Sequence, residues 1–333
     1  MNEMQFAQVI PRLRVLETRL LDKAKFDRMI DASSAQEVLR VLQETEYANV
    51  MHNVKRAEDY EMILSGELKR VYQLIYNISP VKEVVDVMAI KYDYHNLKVL
   101  LKEKFLDKDF SNMIIHVGKV EVSKLKYAVD NEYYRDLEAT MRKSIEEVVI
   151  DFTSNKDPQR IDIIFDKYMF EEMVQISKNI GDRFLEKYIE SWIDLTNIRT
   201  LLRIKKQNKS REFFLSVIIK GGTIDKDKLL ALLSDSVENI PGKLFYTNYA
   251  EILRVGIEAY SKNGSVNILE KLSDNYIMEF MKNAKYVSFG IEPLIAYTFA
   301  KESEIKIIRI IMVGKLNNIA GEVIRERLRD CYV

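Results

Sequence analysis

Asp93, Asn96 and Lys98 stand in the stretch DYHNLKVLLKEK (93–104), and Asp194, Asn197 and Arg199 stand in DLTNIRTLLRIK (194–205). A carboxylate, an amide and a cation at this spacing could do acid–base chemistry. The carboxylate would move a proton while the amide and the cation steady a developing negative charge. The two stretches share one order of types: acid, any, any, Asn, apolar, base, any, Leu, Leu, base, any, Lys. A third copy, EIKIIRIIMVGK (304–315), keeps Glu304 for the aspartate and Arg309 for the cation, with Ile307 where asparagine stands in the others. A reacting centre seldom recurs in every repeat of a chain. The bland reading is therefore preferred. Asparagine suits a helix interior only where its amide finds partners, and buried polar groups are normally satisfied. The expectation is a polar clamp that ties each motif helix to a neighbouring turn within its own repeat.

Other chemistry-bearing residues form no set. His52, His95 and His116 show no paired metal-ligand spacing, and His95 is replaced by Thr196 in the second copy. Cys331 is the one cysteine and has no activating base in its motif. Gly314-Lys315 lacks the upstream glycine and the following Ser/Thr of a phosphate loop, having Arg309 and Leu316 there, and Gly221-Gly222-Thr223 lacks the lysine. Both read as helix ends. No catalytic, metal or cofactor-binding residue is expected, and no cofactor.

The elements that carry the motifs read as helices throughout. Glycine is sparse before residue 220, there are five prolines, and hairpin signals are missing. Tyr60, Leu64, Leu68, Val71, Tyr72 and Ile75 form one stripe at helical spacing. Ile161, Ile164, Phe165, Tyr168 and Met169 form another. Ser79-Pro80 and Asp157-Pro158 each read as an N-cap followed by proline at the first helical position. In the motif, Leu97, Leu100 and Leu101 give the core stripe, and Lys98 and Lys102 share a different face.

The repetition extends upstream. LDKAKF (21–26), VSKLKY (122–127) and IDKDKL (224–229) each pair a cap-type residue, Asp22, Ser123 or Asp225, with Lys-x-Lys and a bulky side chain. A period near one hundred residues exceeds the ~20–50 of solenoid repeats. It predicts an all-α chain of three similar helical domains, 1–108, 109–212 and 213–333, closed into a pseudo-threefold body or set in a bent row.

Composition limits the partners. Of 333 residues, 47% are apolar and 31% charged, with 51 basic and 51 acidic side chains. The balance holds within each third, so no field directed at nucleic acid or an anionic membrane surface is implied. The most apolar run, IKIIRIIMV (305–313), is far short of the ~20 residues of a membrane span. A single cysteine fits a reducing compartment. A cytoplasmic protein with no transmembrane segment is expected.

The three motifs, the front RLLDKAKFDRMIDASSAQEVLRVLQETEY (19–47) and the last stretch GIEPLIAYTFAKESEIKIIRIIMVGKLNNIAGEVIRERL (290–328) resemble the C subunit of the rotary V/A-type ATPases of bacteria and archaea, a family related to the d subunit of the eukaryotic vacuolar ATPase. The order Gly290, Glu292-Pro293, Ala296-Tyr297, Ala300-Lys301-Glu302, Glu304-Ile305, Arg309, Gly314-Lys315, Asn317 is similar to that family's C-terminal signature. The resemblance implies a funnel-like body of three helical domains on the cytoplasmic face of the proteolipid rotor ring. The central shaft, made of the D and F subunits, would dock in the funnel. It implies a non-catalytic coupler for ATP-linked H+ or Na+ transport. The alternative is a cytosolic helical scaffold or adaptor. An enzyme would need a deep polar pocket shared between repeats.

Overall fold

A computed structural model describes residues 3–52 and 54–333. Among them the α-helices are α1 (Val9–Glu17), α2 (Lys23–Asp31), α3 (Ala35–Gln43), α4 (Tyr60–Ile78), α5 (Lys82–Leu106), α6 (Val122–Asp130), α7 (Ala139–Asn155), α8 (Pro158–Ile180), α9 (Arg183–Lys206), α10 (Arg211–Val217), α11 (Lys226–Ser234), α12 (Ile240–Lys243), α13 (Ala250–Asn263), α14 (Asn267–Lys282), α15 (Glu292–Leu316) and α16 (Gly321–Arg327). No strand occurs among the described residues. The chain is all-α.

The apolar stripes bury as their spacing requires. In α4, Leu64, Leu68, Val71, Tyr72 and Ile75 are core, joined by Ile63 and by the carboxylate Glu67. In α8, Ile161, Ile164, Phe165 and Met169 are core, whereas Tyr168 is only half-buried and donates to Glu147. The three motif helices α5, α9 and α15 are buried over most of their circumference, which suits long central helices.

Caps divide into those the sequence signals and those it misleads on. Asp157 caps α8 by accepting from the Gln159 amide, with Pro158 in the first turn. Asp22 and Asp225 cap α2 and α11 in the same way. Ser79-Pro80 corrects the reading of an N-cap. Proline disfavours the α conformation in the residue before it, so Ser79 turns extended and ends α4; α5 begins only at Lys82. Ser123 is not a cap either. It lies inside α6, whose N-cap residue is Glu121, and its hydroxyl donates to the Glu121 carboxylate.

Two compact units emerge. One joins residues 1–88 with 274–333, and the other is 89–273. Within the first, α15 packs on α4 and α1; within the second, α7 packs on α8 and α8 on α9. The unit boundaries fall inside α5 and α14, away from 108 and 212.

Candidate functional site

The motif residues build the same device three times. Asp93 accepts the amides of Lys119 and Val120, at 2.9 and 3.1 Å, immediately before α6. Asp194 accepts the amides of Thr223 and Ile224, at 3.0 and 3.1 Å, before α11. It also takes the Thr223 hydroxyl at 2.5 Å and the Tyr249 hydroxyl at 3.1 Å. Glu304 accepts the Leu21 amide at 2.6 Å, before α2. Each carboxylate thus meets the start of a short helix, and each of those helices has nine residues.

The last lysine of each motif meets the other end of that helix. Lys104 Nζ donates to the Val129 carbonyl at 2.9 Å, Lys205 to those of Leu232 and Leu233 at 3.1 and 2.7 Å, and Lys315 to that of Ala32 at 2.6 Å. A helix leaves unpaired amides at its start and unpaired carbonyls at its end, with partial charges of opposite sign. The ammonium at the end matches both the hydrogen-bonding and the charge; the carboxylate at the start matches the charge and fixes the amides of the residues just before the N-cap. Each motif helix therefore grips one short helix from end to end.

The partner is a short helix outside the motif's own stretch of sequence. The motif on α5 grips α6, that on α9 grips α11, and that on α15 returns to α2. The clamp expected within each repeat is corrected accordingly. The correction also accounts for the compact units: the motif half of α5 goes with 89–273 because it holds α6, and 274–333 goes with the N-terminal residues because α15 holds α2.

The asparagines serve the segment leading into the short helix. The Asn96 amide donates to the Ile115 carbonyl at 2.8 Å and accepts the Ile115 amide at 2.9 Å. Asn197 makes the same pair with Ile219 at 2.8 and 2.9 Å. Ile115 stands five positions before Val120, and Ile219 five before Ile224. The corresponding residue before Leu21 is Leu16, which lies within α1, where helical bonds already satisfy the backbone. The third copy needs no side-chain amide there, and Ile307 is buried in its place.

The mid-motif cations face elsewhere. Lys98 and Lys102 of α5 pair with Asp166 and Asp162 of α8. Arg203 of α9 pairs with Glu270 of α14, and Arg309 of α15 with Glu61 of α4 at 2.7 Å. Arg199 donates to the Thr196 hydroxyl on its own helix at 3.1 Å. Acid, amide and cation do not converge on one point, and the carboxylate and amide are taken up by backbone. This geometry organises helices.

Close approach of backbone to carboxylate depends on glycine at two places that motif spacing overlooks. A Cβ on Gly118, whose φ is +154°, would lie 2.2 Å from an Asp93 oxygen; one on Gly222 would lie 2.1 Å from an Asp194 oxygen. The signal was partial: in Gly118-Lys119-Val120 and Gly222-Thr223-Ile224 the glycine directly precedes the two amide donors, but it stands 25 residues after Asp93 and 28 after Asp194. Gly222 is thus part of a clamp, not merely a helix end. Gly314 lies inside α15, where a Cβ would sit 2.5 Å from Ile324.

In the 1–88/274–333 unit the clamp extends into a buried ion cluster. Lys301 Nζ lies 2.8 Å from Glu304 and 3.0 Å from Glu67, and all three are buried. Glu67 also makes a paired contact with Arg70, at 2.7 and 2.8 Å. Burial opposes the Lys301 charge, but Glu304 and Glu67 outweigh it and raise its pKa.

The Cys331 thiol donates to the Val333 carbonyl, and burial pushes its pKa up. Among the described residues no cluster of His, Cys, Asp and Glu could hold a metal, and no helix is long and apolar enough to cross a membrane. An open groove of about 500 Å³ between α7 and α8, lined by Lys143, Glu146, Glu147, Ile150, Asp151 and Tyr168 among others, contains no motif residue.

Comparison with known proteins matches residues 9–327 to the family described as ATP synthase (C/AC39) subunit. The C subunit of the V-type sodium ATPase of Enterococcus hirae is 31% identical over 329 residues, covering 99% of both chains. The C subunit of the A-type ATP synthase of Methanocaldococcus jannaschii is 30% identical over 342 residues, covering 97% of this chain and 86% of the relative. That of Pyrococcus abyssi is 26% identical over 339 residues, covering 96% and 89%.

Proposed function

The chain belongs to the ATP synthase (C/AC39) subunit family, and on that premise we propose that it is a non-catalytic central-stalk component of a V/A-type rotary ATPase. It couples the central shaft, made of the D and F subunits, to the membrane proteolipid ring and so links ATP turnover to H+ or Na+ transport. It works at the cytoplasmic face of the membrane, held there through protein partners. The three segments 1–108, 109–212 and 213–333 are part of this proposal.

The observation that carries the reading is the full-length match to relatives named as the C subunits of V-type and A-type ATPases. The end-to-end grip of the three motif helices supports it. A part that transmits torque must not yield, and a helix held by charge-assisted bonds at both ends and packed along its side deforms little. The motif chemistry is spent on backbone, which favours a coupling role over a catalytic one.

The test is removal of this protein from the intact complex. ATP-driven ion uptake into vesicles is expected to stop while ATP hydrolysis by the detached head continues. The native complex should bring down ring and shaft proteins with this chain. Ion uptake that persists without it, or recovery of the chain free of ring and shaft, overturns the reading.

A further inference from the structure

The three clamps are not equally supplied with donors. Asp194 has four: two amides, the Thr223 hydroxyl and the Tyr249 hydroxyl. Glu304 has one amide and the Lys301 ammonium. Asp93 has two amides and shares its surroundings with a second buried carboxylate, Glu172 of α8. Glu172 Oε2 accepts the Tyr94 hydroxyl at 2.9 Å. Its other oxygen, Oε1, is buried with no hydrogen-bond partner. The nearest cation, Lys119 Nζ, is 3.8 Å from that oxygen and already lies 2.6 Å from Glu138.

Three carboxylates from three elements therefore face one ammonium: Asp93 of α5, Glu138 at the N-cap of α7 and Glu172 of α8, around Lys119 in the segment before α6. Tyr94 and Ser144 are the remaining polar groups, and the tyrosine hydroxyl is already directed at Glu172. A buried carboxylate oxygen without a donor is costly when ionised and comfortable when it carries a proton.

We propose that Glu172 is a proton-binding site of the folded protein, and that its proton sets how firmly α8 is held against α5 and the start of α6. With the proton on, Lys119 has one fewer negative charge to balance and the Asp93 clamp lies beside a neutral neighbour. With it off, three negative charges compete for one cation. Burial pushes Asp93 up to about 7, against the lowering effect of its two amides. Burial likewise raises Glu172, with Tyr94 and Lys119 opposing and Glu138 adding to the rise. The groups titrate as a coupled set. The consequence is an α5–α6–α8 junction that responds to pH. It does not depend on the functional reading above.

The direction follows from linkage. An acid whose pKa is higher folded than unfolded binds more protons in the native state. Its contribution is complete below the unfolded carboxyl value of ~4.3 and is lost as pH rises through the raised folded value. Acidification toward neutrality and below should strengthen this junction.

The test compares thermal unfolding of the full chain and of its E172Q and E138Q variants between about pH 5.5 and about pH 8.5. Glutamine mimics the protonated acid permanently. The parent's folding equilibrium should weaken with rising pH, by at most about tenfold per unit for one proton. E172Q should reduce that slope and match or exceed the parent at the alkaline end, while E138Q, which removes one cause of the rise, should move the loss to lower pH and reduce the slope less than E172Q does. Infrared spectra of the parent at about pH 6 should show protonated carboxyl absorption that is weaker in E172Q, where Asp93 alone contributes. Parallel pH profiles for parent and E172Q, a larger reduction by E138Q than by E172Q, or carboxyl absorption no weaker in E172Q than in the parent overturns the proposal.

Discussion

Glu304 accepts the backbone amide of Leu21 at 2.6 Å across 283 positions of sequence. Eleven residues further along the same helix, Lys315 takes the carbonyl of Ala32. One helix near the C-terminus thus holds both ends of one helix near the N-terminus. The third motif thus holds a helix near the start of the chain, whereas the first two hold helices that follow them in sequence. Such closure orders residues far apart in sequence, and the packing of α15 on α1, α2 and α4 offsets the loop-closure cost.

Replacing the end-gripping lysines should rank them by the carbonyls each serves. Lys205→Met loses three acceptors, those of Leu232, Leu233 and Asp235, whereas Lys315→Met loses one. Hydrogen bonds to a charged group contribute ~1.5–3 kcal/mol, less where solvent screens them. A loss of about 2 kcal/mol is expected for Lys205→Met and about 1 kcal/mol for Lys315→Met. Urea unfolding measures both. Equal losses would show that the C-terminal grip is not what the lysines supply.

The asparagine pairs should be sensitive in both directions. Asn96→Leu and Asn197→Leu each leave the amide and carbonyl of an extended residue without partners and should cost ~1–3 kcal/mol. Ile307→Asn places an amide in a buried position facing a helix whose backbone is already satisfied, and should destabilise as well. Thermal melts check this; leucine variants that melt at the parent temperature would remove the amides from any structural role.

The contrast between Asn96 and Ile307 shows how far sequence reaches. The asparagine announces a need for partners, and its spacing from Asp93 and Leu100 places it on a helix. The partner, Ile115, is an apolar residue contributing only backbone, and backbone leaves no signature in residue types. Asp162, Asp166, Glu61 and Glu270 were hidden for another reason: each is one surface acid among many until the packing of α8, α4 and α14 brings it to a motif cation. Helix identity was readable because stripes such as Leu64-Leu68-Tyr72-Ile75 carry the 3.6-residue period directly. Ser79-Pro80 misled because serine before proline marks a helix end as readily as a beginning.

Gly118→Ala and Gly222→Ala should each loosen a clamp. A methyl 2.2 or 2.1 Å from an aspartate oxygen forces the carboxylate off its amides, and at Gly118 the positive φ adds strain. Gly242, beside which nothing lies within 4 Å, is the control. The clamp variants should lose ~2–4 kcal/mol and the control less than about 1 kcal/mol. Hydrogen exchange at the Lys119, Val120, Thr223 and Ile224 amides should rise in the matching variant only. Unchanged protection there would mean that the aspartates do not hold those amides in solution.

Lys301 is the most consequential single charge. Lys301→Met leaves Glu67 and Glu304 buried with their shared cation gone, and removal of one partner from a buried ion cluster costs ~3–5 kcal/mol. Glu67 retains Arg70, so most of the damage should fall on Glu304 and through it on the Leu21 amide. Adding Glu304→Gln to Lys301→Met should therefore recover part of the loss, because the glutamine carbonyl can still accept from Leu21 without needing a cation. The pH dependence is separable. The Lys301 pKa is raised in the folded protein, so its contribution is complete below the unfolded lysine value of ~10.4 and declines as pH climbs from there through the folded value. The parent should lose stability above about pH 10 more steeply than the Lys301→Met variant. Parallel alkaline profiles, or a double variant no more stable than Lys301→Met alone, would show that Glu304 does not depend on Lys301.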